Sequence, residues 1–352
     1  MVNSFWKNKK VFLTGHTGFK GSWMSLWLLK AGAKVTGYSL GLPTTPSLYE
    51  ELNIASDMNS IFGDVGHFEK LKSSLVESRP DIIIHMAAQP LVRYSYANPI
   101  ETYMTNVMGT VHLLEAARSA SGVRAIVNVT SDKCYENIER EAGYQEHEPM
   151  GGYDPYSNSK GCSELVTSAF RHSFLNAENI FLATGRAGNV IGGGDWALDR
   201  LMPDIFRSVE EKRTLVIRNP QSTRPWQHVL EPVGGYLLLA EKLYQEGSRF
   251  AEGFNFGPNK NGHASVENVI QKMNKYWNNK IKYQVVSLNK NPHEAKLLSL
   301  DCTKAEKKLG WKPKWDLDRA LIATVNWNEA RANKTSVRET TLKQIHDYEK
   351  NT

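Results

Sequence analysis

The segment VFLTGHTGFKGSWM, residues 11–24, sets Gly15, Gly18 and Gly21 between an apolar run and a helical pattern. Lys10–Thr14 reads as a short buried strand. Phe19–Ala31 reads as a helix, with Phe19, Trp23, Leu26, Trp27 and Lys30 at helical spacing. Glycine lets a backbone turn sharply and approach a phosphate closely. The following helix offers free N–H groups and the positive end of its dipole. A strand, a glycine turn and a helix in that order point to a dinucleotide site. Its expected contacts are Gly15, His16, Thr17, Gly18, Phe19 and Gly21. His16 and Lys20, inside the turn, are expected to present their backbones.

The alternation continues down the chain. Lys34–Ser39 reads as a strand, and Asp81–Met86 as a nearly continuous apolar one. Met104–Ser119 reads as a helix and Arg124–Val129 as a strand. A helix then runs from Tyr156 toward His172, and Ile180–Thr184 is a strand. This order predicts an α/β fold: a doubly wound parallel sheet with helices on both faces. After about Thr184 the rhythm breaks, with glycine and proline clustered in 185–195 and 219–225. A chain of 352 residues is long for one core, so two lobes are expected. Residues 1–185, with a return segment near 226–256, make the dinucleotide lobe. Residues 186–225 and 257–352 make a smaller mixed α/β lobe for substrate. The polar tail from about Arg331 is expected to be a peripheral helix.

Several function classes drop out. No apolar run nears the roughly 20 residues of a membrane helix. The first ten residues are polar and basic, unlike a secretory signal, so a cytoplasmic place is expected. Cys134, Cys162 and Cys302 are widely spaced, and no His-x-x-x-His pair occurs, so neither disulfide nor metal is expected. The net charge is +6, but the basic residues are interleaved with acids. That pattern argues against nucleic acid and suits a local cationic pocket for a phosphorylated substrate.

Tyr156 and Lys160, in YSNSK, fall on one face of a helix start. A tyrosine ionises near pH 10, so it needs help to act as a base. A neighbouring ammonium and a positive nicotinamide favour its phenolate. The second strand ends Gly37-Tyr38-Ser39-Leu40, without the acid that usually holds the ribose of NAD. No arginine stands there for a 2′-phosphate. Ser39 remains as a ribose contact, and both NAD and NADP stay open.

Together these features resemble the extended short-chain dehydrogenase/reductases, whose fold is Rossmann-type. The resemblance extends to Gly63-Asp64-Val65, to His85–Gln89 (HMAAQ), to Asn106 in TNVMGT and to LDCTKAEKKLGWKP at 300–313. It implies cofactor contacts from Asp64, Val65, Ala87, Ala88, Gln89 and Asn106 beside Tyr156 and Lys160. The triplet Ser131-Asp132-Lys133 resembles the CDP-glucose branch of the nucleotide-sugar 4,6-dehydratases. So do the runs TSDKCYEN, GGYDPYSNSKG, GNVIGGGDWA and TRPWQHVLEP.

That branch implies a lyase using NAD to turn CDP-glucose into a 4-keto-6-deoxy sugar, an early step toward deoxysugars of surface polysaccharide. Tyr156, helped by Ser131 and Lys160, would deprotonate the C4 hydroxyl. Asp132 would supply the proton that leaves with the C6 hydroxyl. Lys133 would remove the C5 proton, or stay charged and stabilise the enolate. Gln89, Arg93, Asn189, Trp196, Arg200 and Arg224 are the implied substrate contacts. A 4-epimerase, or a dehydratase for another nucleotide, is the alternative. The family further implies a homodimer or homotetramer joined through a four-helix bundle.

Overall fold

The structure, a computed structural model, describes residues 4–259, 262–286 and 297–350. The chain forms strands β1 (Lys10–Thr14), β2 (Lys34–Ser39), β3 (Asn59–Phe62), β4 (Ile82–His85), β5 (Ala125–Val129) and β6 (Phe181–Ala187). The short strands β7 (Val190–Ile191), β8 (Leu215–Ile217), β9 (Thr223–Pro225) and β10 (Gln227–His228) follow. β11 (Gly253–Phe256), β12 (His263–Ser265) and β13 (Tyr283–Val285) complete the set among the described residues. Seven strands join in one parallel sheet, in the order β11-β6-β5-β4-β1-β2-β3. The fold is the Rossmann-type α/β expected from the alternation of elements. The strand order reverses between β1 and β4, and a crevice opens beyond their carboxyl ends.

Strand periodicity explains why both faces are covered. In β1, Val11 and Leu13 face one core while Phe12 faces the other. Ile82 and Ile84 join the first core, and Ile83 joins the second. The first core is closed by Trp23 and Trp27 of helix Phe19–Lys30 and by Leu237 and Leu239 of helix Leu230–Glu246. The second is closed by Leu71 of helix Phe68–Ser78 and Leu113 of helix Gly109–Arg118. A separate core holds Ile191, Met202, Ile205, Ile217, Val269 and Met273. It is built on helices Leu201–Glu210 and Val266–Tyr276 and the pairs β8–β13 and β9–β12.

Two expectations are corrected, and one strand and helix go unread in the sequence. The span Met104–Ser119 is not one regular helix: it opens with a π-turn at Met104–Met108 and becomes α-helical at Gly109. β3 and helix Phe68–Ser78 carry no strong sequence signal, because β3 (NSIF) is half exposed. The tail does form a helix, Val337–Lys350, but it is not peripheral. Val337, Ile345 and Tyr348 are buried in the first core, and Trp27 Nε1 donates to Glu349 Oε1 at 2.8 Å. No described helix is long and apolar enough to cross a membrane.

Candidate active site

The crevice is a cleft of about 1610 Å³. Its floor is the turn after β1. Gly15 sits at φ +74°, and a Cβ there would lie 2.8 Å from the Ala87 nitrogen. A Cβ on Gly21 would lie 2.0 Å from the Gly15 oxygen. Only glycine fits either place. Gly18 caps helix Phe19–Lys30 with no side chain, so the first-turn N–H groups stay available to a ligand. Thr14 Oγ1 accepts from Met86 N and Ala87 N, which spends both lone pairs. Its hydroxyl therefore donates to His85 Nδ1 at 2.7 Å. Burial holds that imidazole neutral, pushing it down to about 3.

The cleft is lined by Thr17, Phe19, Ser39, Asp64, Val65, Ala87, Ala88 and Gln89 among the expected cofactor residues. Two others lie outside it. The His16 imidazole turns inward against Gly37 and bonds Ser39 Oγ at 2.9 Å and Ser60 Oγ at 3.0 Å. Desolvation lowers it to about 4, so it is neutral. This buried ring packs against β2 and ties up the Ser39 hydroxyl, which also accepts from Thr17 N at 3.4 Å. The end of that strand is thus built as a neutral pair rather than around a carboxylate. Asn106 is likewise no cleft residue. Its Oδ1 accepts from Gln89 N, and its Nδ2 donates to Gln89 O and Ser159 Oγ. It braces the loop after β4 against the helix carrying Tyr156. Gln89 spends its own amide on Leu91 N and Thr102 Oγ1, which argues against its reaching a sugar.

Ser131, Asp132 and Lys133 stand where the chain leaves β5. Tyr156 and Lys160 face them from helix Pro155–Phe170, which Asp154 caps by accepting from Ser157 N at 2.9 Å. Ser131 Oγ donates to Asp132 Oδ1 at 2.9 Å and stands beside the Tyr156 phenol. Lys133 Nζ lies 3.2 Å from the same Asp132 Oδ1. Asp132 is buried, and its Oδ2 has no partner among the described residues. Lys160 Nζ donates to Val129 O at 3.4 Å.

The electrostatics differ from the sequence expectation. Desolvation raises the Tyr156 phenol above its ordinary value. Lys133, the Ser131 hydroxyl and Arg200 pull it back down, while Asp132 adds to the rise. Lys160 is itself pushed down to about 8 by desolvation, with Cys134 and Glu164 opposing. Lys20, expected to present only its backbone, behaves otherwise. Its side chain enters the cleft, where desolvation, then Arg200 and Lys160, push it down to about 8. The missed signal was its position in the first turn of a helix aimed at the ligand.

A lysine with a lowered value is charged only below it. If the charged Lys160 is needed for turnover, kcat should hold below pH 8 and fall as pH rises through about 8. A kcat–pH profile tests this; a plateau running on to about pH 10, where an unperturbed lysine loses its proton, would contradict it.

The far wall comes from the segments around β7 and β9 and supplies Asn189, Trp196, Arg200 and Arg224. Arg200 pairs with Asp195 Oδ2 at 3.1 Å. Trp196 meets Trp327 edge-on, with ring centres 5.9 Å apart. Arg93 reaches across the mouth to Asp199 at 3.8 Å. Among the described residues no group of His, Cys, Asp or Glu is placed to hold a metal.

The glycine cradle on a parallel sheet, with serine, tyrosine and lysine at one edge, defines a dinucleotide-dependent enzyme of the short-chain dehydrogenase/reductase class. The GDP-mannose 4,6 dehydratase family matches residues 12–324, and the chain belongs to it. It is 54% identical to the CDP-glucose 4,6-dehydratase of Salmonella typhimurium over 350 residues, 98% of this chain and 97% of that one. Among solved structures, a UDP-glucose-4-epimerase from Stenotrophomonas maltophila with bound NAD superposes with a TM-score of 0.81. It shares 20% identity over 93% of this chain and 100% of its own. A dTDP-glucose 4,6-dehydratase from Streptomyces venezuelae with NAD bound gives 0.77 at 23% identity, over 92% of this chain and 98% of its own. At such identities these two share the fold with this chain.

Proposed function

We propose that this enzyme is an NAD-dependent lyase that dehydrates CDP-glucose to CDP-4-dehydro-6-deoxyglucose. The observation that carries the reading is the Ser131-Asp132-Lys133 cluster facing Tyr156, with a buried Asp132 oxygen left free toward the cleft wall at Gly188. An epimerase expels no water and has no use for a buried acid there.

The glycine cradle fits a pyrophosphate, since a Cβ at Gly15 or Gly21 would fill it. Contacts from Thr17, Phe19, Asp64, Val65, Ala87 and Ala88 are placed to complete the grip. When bound, NAD supplies hydride exchange, uptake from the sugar C4 and return to C6. Tyr156 Oη takes the C4 hydroxyl proton while Ser131 Oγ positions that phenol. Lys133 and Arg200 favour the anionic phenol against the cost of burial.

The 3.2 Å contact between Lys133 Nζ and Asp132 Oδ1 explains how one pair serves as acid and base. At rest it is an ammonium beside a carboxylate. One proton moved across it makes a neutral amine and a protonated acid. The amine takes the C5 proton, the acid protonates the departing C6 hydroxyl, and the ion pair is restored. Lys133 then returns a proton to C5 as hydride reaches C6, and the C4 hydroxyl proton held by Tyr156 passes back to Lys133, which restores both groups.

Arg224, Arg200, Asn189 and Trp196, within a substrate lobe of residues 186–225 and 257–352, form with Arg93 of the dinucleotide lobe the wall suited to the nucleotide diphosphate and sugar. The dinucleotide lobe is 1–185 with the return segment near 226–256, and the tail helix Val337–Lys350 packs into its core. Exposed apolar residues Ile100, Met104 and Leu165 on neighbouring helices support pairing of two copies through those helices. A cytoplasmic place in the making of surface-polysaccharide deoxysugars fits such a substrate.

The test is a panel of CDP-, dTDP-, UDP- and GDP-linked glucose, read by mass for loss of one water. Dehydration is expected, with CDP-glucose preferred. Epimerisation without water loss would replace this reading with the epimerase one.

A further inference from the structure

Behind the site, outside the cleft, lies a buried ion pair that no step above uses. Glu164 stands one turn beyond Lys160 on the same helix. Its carboxylate accepts from Thr130 Oγ1 at 2.5 Å, Thr184 Oγ1 at 2.8 Å, Arg186 Nε at 2.8 Å and Arg186 Nη2 at 2.8 Å. Those four bonds fill a carboxylate. Arg186 Nη1 continues to Tyr135 Oη at 2.7 Å and to Glu146 O at 3.1 Å. Tyr135 in turn donates to Asn255 Oδ1 at 2.7 Å on β11.

Thr130 and Tyr135 bracket the segment Ser131-Asp132-Lys133-Cys134. The segment is therefore tied at both ends to one buried pair. That pair stands on the helix that carries Tyr156 and Lys160. A buried pair of this kind is a poor source of net stability, because desolvation offsets the attraction. What it supplies is geometry: a bidentate guanidinium–carboxylate fork sets distance and angle together.

We infer that Glu164 and Arg186 form a positioning pair that keeps Asp132 and Lys133 in register with Tyr156 and Lys160. Tyr156 and Lys160 have their own support in the capped helix. Asp132 and Lys133 reach the sugar only from the tied segment. Loss of the pair should therefore damage elimination far more than C4 oxidation, to which the segment gives only the Ser131 hydroxyl and the Lys133 charge.

The inference rests on the dehydratase reading. Its test uses the full chain with NAD and the nucleotide-glucose that the panel selects. Two rates are measured in single turnovers: the absorbance rise of reduced nicotinamide, and C5 deuterium uptake with water loss by mass. Three variants are compared. Tyr135→Phe removes one tie and leaves the pair. Arg186→Lys keeps the charge and loses the fork. Glu164→Leu with Arg186→Met removes both charges of the pair together, so neither is left buried without the other. A misplacement of about 1 Å costs about 10²-fold. Elimination is accordingly expected to fall by about 10²-fold in the double variant and by about tenfold in the milder two. The absorbance rise should stay within about threefold of the unaltered enzyme in Tyr135→Phe and Arg186→Lys, which keep the Glu164 carboxylate that supports the Lys160 charge. An equal fall in both rates, or unchanged elimination in Tyr135→Phe and Arg186→Lys, overturns the inference alone. Failure of the unaltered enzyme to dehydrate any glucose nucleotide overturns the functional reading and this inference with it.

Discussion

Replacing Tyr156 with Phe is expected to lower kcat by about 10³-fold, inside the range of about 10²–10⁴-fold for a lost proton-transfer group. The ring is buried, and Phe fills nearly the same volume, so packing and substrate affinity should barely change. Ser131 Oγ keeps its bonds to Asp132 Oδ1 and Lys133 N, so its hydroxyl is not left unpaired. What disappears is the one oxygen in the cluster able to take the C4 proton beside that serine. Every later step needs the C4 ketone, so no reduced nicotinamide should build up and no C5 deuterium should enter. Stopped-flow absorbance and mass spectrometry report both. Full-speed nicotinamide reduction in this variant would remove Tyr156 from the mechanism.

Lys133→Met should act differently. The absorbance rise from C4 oxidation should persist, slowed by loss of the charge that favours the Tyr156 phenolate, while C5 exchange and water loss fall much further, by about 10²–10⁴-fold. The side chain is partly exposed, and its partner Asp132 keeps the Ser131 bond, so stability should change little. The substitution removes the proton that would pass to Asp132 as well as the amine that would accept the C5 proton. Both halves of the elimination are thus lost together. Unchanged C5 exchange would sink the base role and favour a charged Lys133 that merely stabilises the enolate. Because Tyr156 and Lys133 act at successive steps, the two variants stop the reaction at different points. Together they separate oxidation from elimination on one enzyme.

Much of this site was legible in the chain. The spacing of Gly15, Gly18 and Gly21 announces the cradle, because only glycine permits such close backbone approach. Tyr156 and Lys160 announce one helix face, because i and i+4 are neighbours on a helix. Ser131-Asp132-Lys133 was legible by resemblance, with its chemistry written in three side chains. Asn106 and Gln89 show the limit. A motif names residues near a cofactor, yet these two spend their amides on each other's loop and on Ser159 and Thr102. His16 shows the same limit from inside the turn, since a position in the motif does not say which way a ring points.

The sequence by itself determined the α/β alternation, the glycine cradle and the chemical identity of the reacting groups, because each rests on short-range periodicity or on residue type. Tertiary structure alone decided the rest, because it depends on groups far apart in the chain. It turned the His16 imidazole against β2, brought Lys20 and Arg200 into one cleft, and buried Tyr156 deeply enough to raise its phenol. It also joined Glu164 to Arg186 behind the cluster. The cradle at Gly15 could be read as local geometry; the field around Tyr156 is the sum of charges from several elements and exists only once they pack.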